Sequence, residues 1–303
     1  MRDDIGTEED KTTHEKMGLI DSVLGGKTHT IAVHADSDDF FVIEVDGEWI
    51  FRFARNHYAG NLLKREKVLL PKLRTVLPLP IPFIQYSGPD WIGYRKIMGE
   101  MITAEVYQAF QEEEKKRCAS QLGTFLTALH AFPVEEARIG GLTRQWGGWF
   151  PEGVQVFKTE VLPRFSETVQ KNILAFFDTF MSYPFAETVT HGDLFLRHSF
   201  FDRRNKEISG IIDFGDATIG DPARDFQCIL DSSDPGFLGL VLSSYQGRED
   251  PHLVDRVLMW NRLALLLDTP DIFDDGLMDK YERQLEEIET TFLLHTHNDR
   301  NAK

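Results

Sequence analysis

The sequence predicts an α+β protein of two lobes, a small antiparallel-sheet lobe over residues 1–95 and a larger, mostly helical lobe over 96–303. Three observations carry this expectation. Short β-prone runs cluster around an Asp46-Gly47 turn in the first third of the chain, apolar stripes of helical period dominate after residue 117, and residues 191–225 concentrate histidines and carboxylates around a hairpin pattern. With 303 residues and no internal repeat, the chain is long enough to build two cores.

The elements follow in order. After the polar, acidic start MRDDIGTEEDKTTHEK, the runs HTIAV (29–33), FFVIEV (40–45) and EWIFRFA (48–54) read as strands, the last two joined through Asp46-Gly47. Gly26-Lys27-Thr28 imitates the end of a phosphate-binding loop, but that motif needs glycine at position 21, which is Asp21. Residues 61–77 place Leu62, Leu63, Val68, Leu69, Leu70 and Leu73 on a helical stripe, and the prolines of LPLPIP (77–82) end it in an extended connector. Residues 117–132 carry Cys118, Leu122, Phe125, Leu126 and Leu129 at helical spacing and read as a core helix on which His130 is structural. Segments 153–181, 251–268 and 275–295 also read as helices.

The block His191–Asp225 carries the chemistry. Its SFF (199–201) and ISGIID (208–213) runs flank the polar turn DRRNKE (202–207), and a hairpin of that length returns Asp213 to the neighbourhood of Asp193 and His198. One carboxylate aimed at an acceptor hydroxyl, with further ligands for a divalent cation, is the set that a triphosphate reaction requires.

Read together, HGDLFLRH (191–198) and GIIDFGDATIGDPARDF (210–226) resemble the aminoglycoside phosphotransferase family, and most of all its 2″-phosphotransferase branch. The resemblance implies a kinase-like fold and transfer of a γ-phosphoryl group from ATP or GTP to a hydroxyl of a small cationic acceptor. By the same resemblance Asp193 orients that hydroxyl and takes its proton, while His198 and Asp213 hold Mg2+. His198 stands where the wider family has Asn; an imidazole is softer than an amide oxygen and can be protonated, so modest, pH-sensitive magnesium affinity is expected. Arg52, where the wider family has Lys, is expected to steady the phosphates and to be held by Glu66, with Arg55 as a competing position.

Further assignments rest on that resemblance. Ser37, in the turn HADSDD (34–39), is the candidate donor to a phosphate; the segment WIGYRKIMGEMIT (91–103) resembles the family's hinge, at about 93–99, and the backbone at Lys96, Ile97 and Met98 is expected to meet the purine edge. Asp231, Asp234, Trp260, Asp268 and Asp271, with Asp274 and Asp275, are the candidates to meet the acceptor's ammonium groups and sugar faces. His191, Asp221 and Asp225 read as bracing and capping residues. A macrolide or small-metabolite kinase of the same fold is the main rival reading, and a non-catalytic nucleotide-binding relative is the other.

Composition agrees with this picture. Forty-nine acidic against 33 basic side chains give a net charge of −16, which disfavours nucleic acid as a partner and suits a polycationic one. Two cysteines, Cys118 and Cys228, make no disulfide framework. No apolar run approaches the length of a membrane span, and the acidic start does not read as a signal peptide, so a cytoplasmic monomer that contacts no membrane is expected, with antibiotic resistance as the implied role.

Overall fold

Alternating apolar residues build the first sheet and leave both of its faces to be covered. The computed structural model describes residues 8–26, 29–34, 39–144 and 149–294. Helix α1 (Glu8–Leu24) precedes strands β1 (Ile31–His34), β2 (Phe40–Val45) and β3 (Trp49–Ala54); helix α2 (His57–Leu73) then leads to β4 (Ile84–Ser87) and β5 (Trp91–Arg95). The five strands lie in the order β1-β2-β3-β5-β4, all neighbours antiparallel. Asp46 and Gly47 both take positive φ, 54° and 68°, the conformation that a two-residue hairpin turn demands.

The period of two decides what each face meets. Phe41, Ile43, Val45, Phe51, Phe53 and Trp91 pack on one side with Ile20, Met17 and Val23 of α1, whereas Phe40, Ile92 and Tyr94 pack on the other with Ala59, Leu62 and Leu63 of α2. The acidic start is therefore no mere tail from Glu8 onward. Its helix was hard to read because only a narrow stripe is apolar, and that stripe is buried by the sheet rather than by local contacts. The expected helix over 61–77 begins earlier and ends earlier, at His57 and Leu73, with Pro71 in its last turn.

The chain divides into two units, one running up to Pro71 and including Ile81–Ile97, the other Lys72–Pro80 with everything from Met98 onward. In the second unit, β6 (Glu100–Met101) is followed by α3 (Ala104–Gln108), α4 (Glu112–His130), α5 (Val134–Ile139), α6 (Trp149–Val156) and α7 (Glu167–Ser182). The helix expected over 153–181 is broken: a π turn at Phe157–Val161 and a 3-10 turn at Leu162–Arg164 intervene, because Pro163 has no N–H to continue the ladder. Strands β7 (Thr188–Thr190), β8 (Ser199–Asp202), β9 (Glu207–Ile211) and β10 (Thr218–Gly220) come next, then α8 (Ala223–Asp231), α9 (Pro235–Ser244), α10 (Leu253–Leu267), α11 (Thr269–Asp274) and α12 (Met278–Leu294). Strands β6, β8 and β9 form one small sheet, and β7 pairs with β10 in another.

Helix α4 is the spine of this unit. It buries Cys118, Leu122, Phe125, Leu126 and Leu129, starts with a capping box between Gln111 and Glu114, and lies against α9. No helix among the described residues is long and apolar enough to cross a membrane.

The approach of α4 to α9 depends on Gly123, where an added Cβ would lie 2.6 Å from the Val241 carbonyl oxygen and 2.7 Å from Ser244 Cβ. Alanine there raises helix propensity by about 1 kcal/mol, yet its methyl meets backbone that no rotamer can move, and overpacking of this kind costs about 1–3 kcal/mol. Gly123→Ala is therefore expected to lower the urea midpoint of unfolding. An unchanged or raised midpoint would mean that the two helices separate without cost.

Candidate active site

Strands β7 and β10 and helix α8 converge on residues 191–193. The pair β7–β10 carries the chain into the loop His191-Gly192-Asp193, and α8 lies beneath it. Asp225, in the first turn of α8 and wholly buried, accepts hydrogen bonds from the backbone N–H groups of His191 (2.9 Å) and Gly192 (2.8 Å) and from His130 Nε2 (3.0 Å). The Tyr245 hydroxyl pairs with His130 Nδ1 at 2.9 Å. Burial pushes the Asp225 carboxyl up, but the His130 hydrogen bond and the neighbouring imidazoles outweigh it and hold the group below its ordinary 3.8. Gly192 has φ +83°, and a Cβ there would lie 2.3 Å from the Asp216 carbonyl oxygen, so only glycine fits.

His191 braces the loop rather than facing a substrate. It is fully buried, its Nε2–H donates to the Ile212 carbonyl at 3.0 Å, and its ring packs on Phe214. Burial pushes its pKa down, which keeps it neutral.

Asp193 and His198 are fixed by the same turn. The Asp193 carbonyl accepts from the Phe195 N–H at 2.9 Å and from His198 Nδ1 at 2.7 Å. With Nδ1 carrying the proton, His198 presents the Nε2 lone pair, and that atom lies 3.7 Å from Asp213 Oδ2. The Asp193 carboxylate, one-fifth exposed, lies 3.4 Å from His198 Nδ1 and 3.6 Å from Arg197 NH2. Asp213 has φ +69°, a strained conformation for a residue with a Cβ, at the point where β9 ends and the chain turns through Phe214 and Gly215.

At 3.7 Å, His198 Nε2 and Asp213 Oδ2 are too far apart to hydrogen bond and near enough to share one small cation, whose bonds to oxygen run about 2.0–2.1 Å. Among the described residues, no group of three or more His, Cys, Asp or Glu side chains is disposed to hold a metal. A two-donor set suits an ion that keeps waters and takes phosphate oxygens as its remaining ligands, and magnesium is such an ion.

The sheet unit holds its own ion pair. Arg52 on β3 sends NH1 to both carboxylate oxygens of Glu66 on α2, at 3.0 and 3.1 Å, with both side chains buried and the guanidinium 4.2 Å over the Phe40 ring. Arg55 lies against Phe41 instead. Ser37 falls outside the described residues. The Lys96 N–H donates to Glu48 O and its ammonium pairs with Glu44, while the Met98 carbonyl accepts from Ser209 Oγ at 2.5 Å, so these groups already have protein partners. Trp91–Arg95 is a largely buried strand of the five-stranded sheet.

The acceptor candidates separate into two groups. Asp231 lies on the wall of two cavities, one of about 520 Å³ shared with Asn261, Asp268 and Glu287, the other of about 480 Å³ shared with Tyr107, Phe195 and Arg197. Trp260 is a correction: it is buried edge-on against Phe180, and its indole N–H donates to Asp221 at 3.1 Å, so it offers no face to a sugar. Asp234 is occupied too, capping α9 at the Phe237 N–H and accepting from the Tyr107 hydroxyl. The side chains of Asp271 and Asp274 lie outside those described, and Asp275 is exposed. Sequence reasoning passed over Arg197 and Tyr107, which carry no pattern until the fold places them.

The chain matches the model of the phosphotransferase enzyme family over residues 28–258. It belongs to that family. Among solved structures, the GDP and kanamycin complex of APH(2")-IIia superposes with a TM-score of 0.78 at 23% identity, covering 91% of this chain and 97% of the other. The streptomycin-ATP-APH(2")-IIa ternary complex gives 0.71 at 20%, covering 90% and 95%, and the macrolide 2'-phosphotransferase MphH from Brachybacterium faecium gives 0.70 at 21%, covering 92% and 98%. At these identities the likeness shows the fold, which is kinase-like.

The Asp225 anchor generates a prediction. Asn at this position presents an amide to donors that need an acceptor and removes a buried charge partner of His130, at a cost of about 3–5 kcal/mol. Asp225→Asn should therefore unfold at lower denaturant. Because the folded carboxyl sits below 3.8, its contribution is fully present above that pH and is lost as pH falls beneath it, so the stability gap between wild type and Asp225→Asn should narrow below pH 3.8. A gap that holds constant into that range would show that the carboxylate charge is not what the loop uses.

Proposed function

We propose that this phosphotransferase moves the γ-phosphoryl group of ATP or GTP to a hydroxyl of an aminoglycoside-like cation. The observation that carries the reading is that the Asp193 carboxylate lies 3.4 Å from His198 Nδ1, while Nε2 of the same ring lies 3.7 Å from Asp213. Asp193 accepts a hydrogen bond from the acceptor hydroxyl, orients it, and takes its proton as the oxygen bonds to phosphorus. His198 and Asp213 would hold Mg2+, which when bound neutralises charge on the phosphates. Arg52, locked by Glu66, supplies a fixed positive charge for phosphate oxygens.

The cationic acceptor is supported by the cavity walls. Asp231, Asp268 and Glu287 line one cavity, and an overall charge of −16 raises the local concentration of a polycation. A purine triphosphate is the donor on the analogy of the GDP and ATP complexes among the similar structures. The macrolide reading keeps one observation in its favour, the similarity to a macrolide 2'-phosphotransferase, and a macrolide pocket should be larger and more apolar than this one.

Steady-state kinetics of Asp193→Asn test the reading. A positioned base contributes about 10²–10⁴-fold, so turnover should fall by that order with nucleotide affinity retained. Near-normal turnover would remove Asp193 from its role. Calorimetry of Asp213→Ala with and without magnesium tests the metal assignment: nucleotide affinity should drop in magnesium and stay level without it, and an equal loss in both would refute it.

A further inference from the structure

Arg197 has no role in the chemistry described above, yet it stands against the residue that carries it. Its NH2 lies 3.6 Å from Asp193 Oδ2, and its guanidinium stacks 4.2 Å from the centre of the Phe195 ring. A guanidinium seated over an aromatic ring keeps N–H groups available to oxygen acceptors. The side chain is about half exposed and lines the cavity that Phe195, Tyr107 and Asp231 also line. An exposed ion pair of this kind adds little to stability, so a purely structural role leaves the placement unexplained.

The chemistry at Asp193 supplies a reason for it. An oxygen that gives its proton to Asp193 is bonding at that moment to the phosphorus of the transferred group. The equatorial oxygens of that group therefore come within a few ångströms of the Asp193 carboxylate, and they carry concentrated negative charge. On the His198 side a cation held with Asp213 would meet this charge. The fork of Arg197 approaches the same Asp193 oxygen as His198 does, and its half-exposed side chain can exchange that oxygen for a phosphoryl oxygen.

We propose that Arg197 is a further catalytic residue, donating hydrogen bonds to the phosphoryl group in flight. Bonding changes stay with the substrates: the acceptor oxygen bonds to phosphorus, the bond to the diphosphate leaving group breaks, and the proton passes to Asp193. Arg197 keeps all its protons and contributes charge that counts most in the transition state. The inference rests on Asp193 being the transfer centre. It does not depend on which acceptor is used, because the same phosphoryl group passes to water in slow nucleotide hydrolysis.

That independence selects the experiment. Intrinsic hydrolysis of GTP and ATP in magnesium, without any antibiotic, is measured for wild type, Arg197→Ala, Arg197→Lys and Asp193→Asn, together with the affinity for GDP and for GDP with aluminium fluoride, which mimics the transferred group. Arg197→Ala should lose about 10–1,000-fold in hydrolysis and a similar factor in affinity for the fluoride complex, with GDP affinity and melting temperature unchanged. Arg197→Lys should keep part of both, and free guanidinium in the buffer should restore part of the Ala variant's rate. Unchanged hydrolysis with unchanged fluoride-complex affinity overturns the proposal, and so does a loss matched by weaker GDP binding or a lower melting temperature, which would make Arg197 structural. If no antibiotic on a panel is phosphorylated while Arg197→Ala still loses hydrolysis, the acceptor assignment fails and the role of Arg197 stands.

Discussion

A carboxylate with no access to solvent governs the geometry of the site. Asp225 is wholly buried, and a buried charge is tolerated only where its lone pairs are met by donors. Here three donors meet it, two from consecutive backbone amides of the loop that presents Asp193 and one from His130. The loop cannot shift without exposing that charge to an unpaired interior, so α4, α8 and residues 191–193 hold one another in register. The position of Asp193 is a consequence of this arrangement more than of its own contacts.

A second carboxylate repeats the device four residues earlier. Asp221 receives Arg256 Nε on both oxygens, the Trp260 indole N–H and the Ala223 N–H, and Arg256 goes on to grip Asp250 with its two remaining nitrogens. Together the two aspartates fasten the start of α8 to α4 on one side and to α10 on the other. The strained φ of Asp213 and the left-handed Gly192 sit in the space these anchors define, which is where backbone strain is sustained by its surroundings.

How much of this was legible in the sequence depends on how local each feature is. The β2–β3 hairpin needs only Asp46-Gly47 and two alternating runs, and the return of Asp213 toward His198 needs only a short polar turn between β-prone segments; both can be read residue by residue. The break at Pro163 is a local signal within an otherwise helical pattern, whereas the start and end of α2 and the helix at Glu8–Leu24 were blurred because tertiary burial decides them. Trp260 was misplaced for the same reason, since an indole on a C-terminal helix looks like a sugar platform until Asp221 and Phe180 are seen to enclose it. Arg197 was invisible because a single arginine in a loop has no period or partner in the sequence. Its meaning comes from a 3.6 Å approach that only the folded turn creates.

The central claim is that the anchored loop transfers a phosphoryl group to a small-molecule hydroxyl, and ³¹P spectroscopy of the reaction tests it most directly. With kanamycin, GTP or ATP and magnesium, the account predicts a phosphomonoester resonance that grows one for one with nucleoside diphosphate. Release of inorganic phosphate at the same rate with and without acceptors from the aminoglycoside, macrolide and simple alcohol classes, and with no new ester, would contradict it.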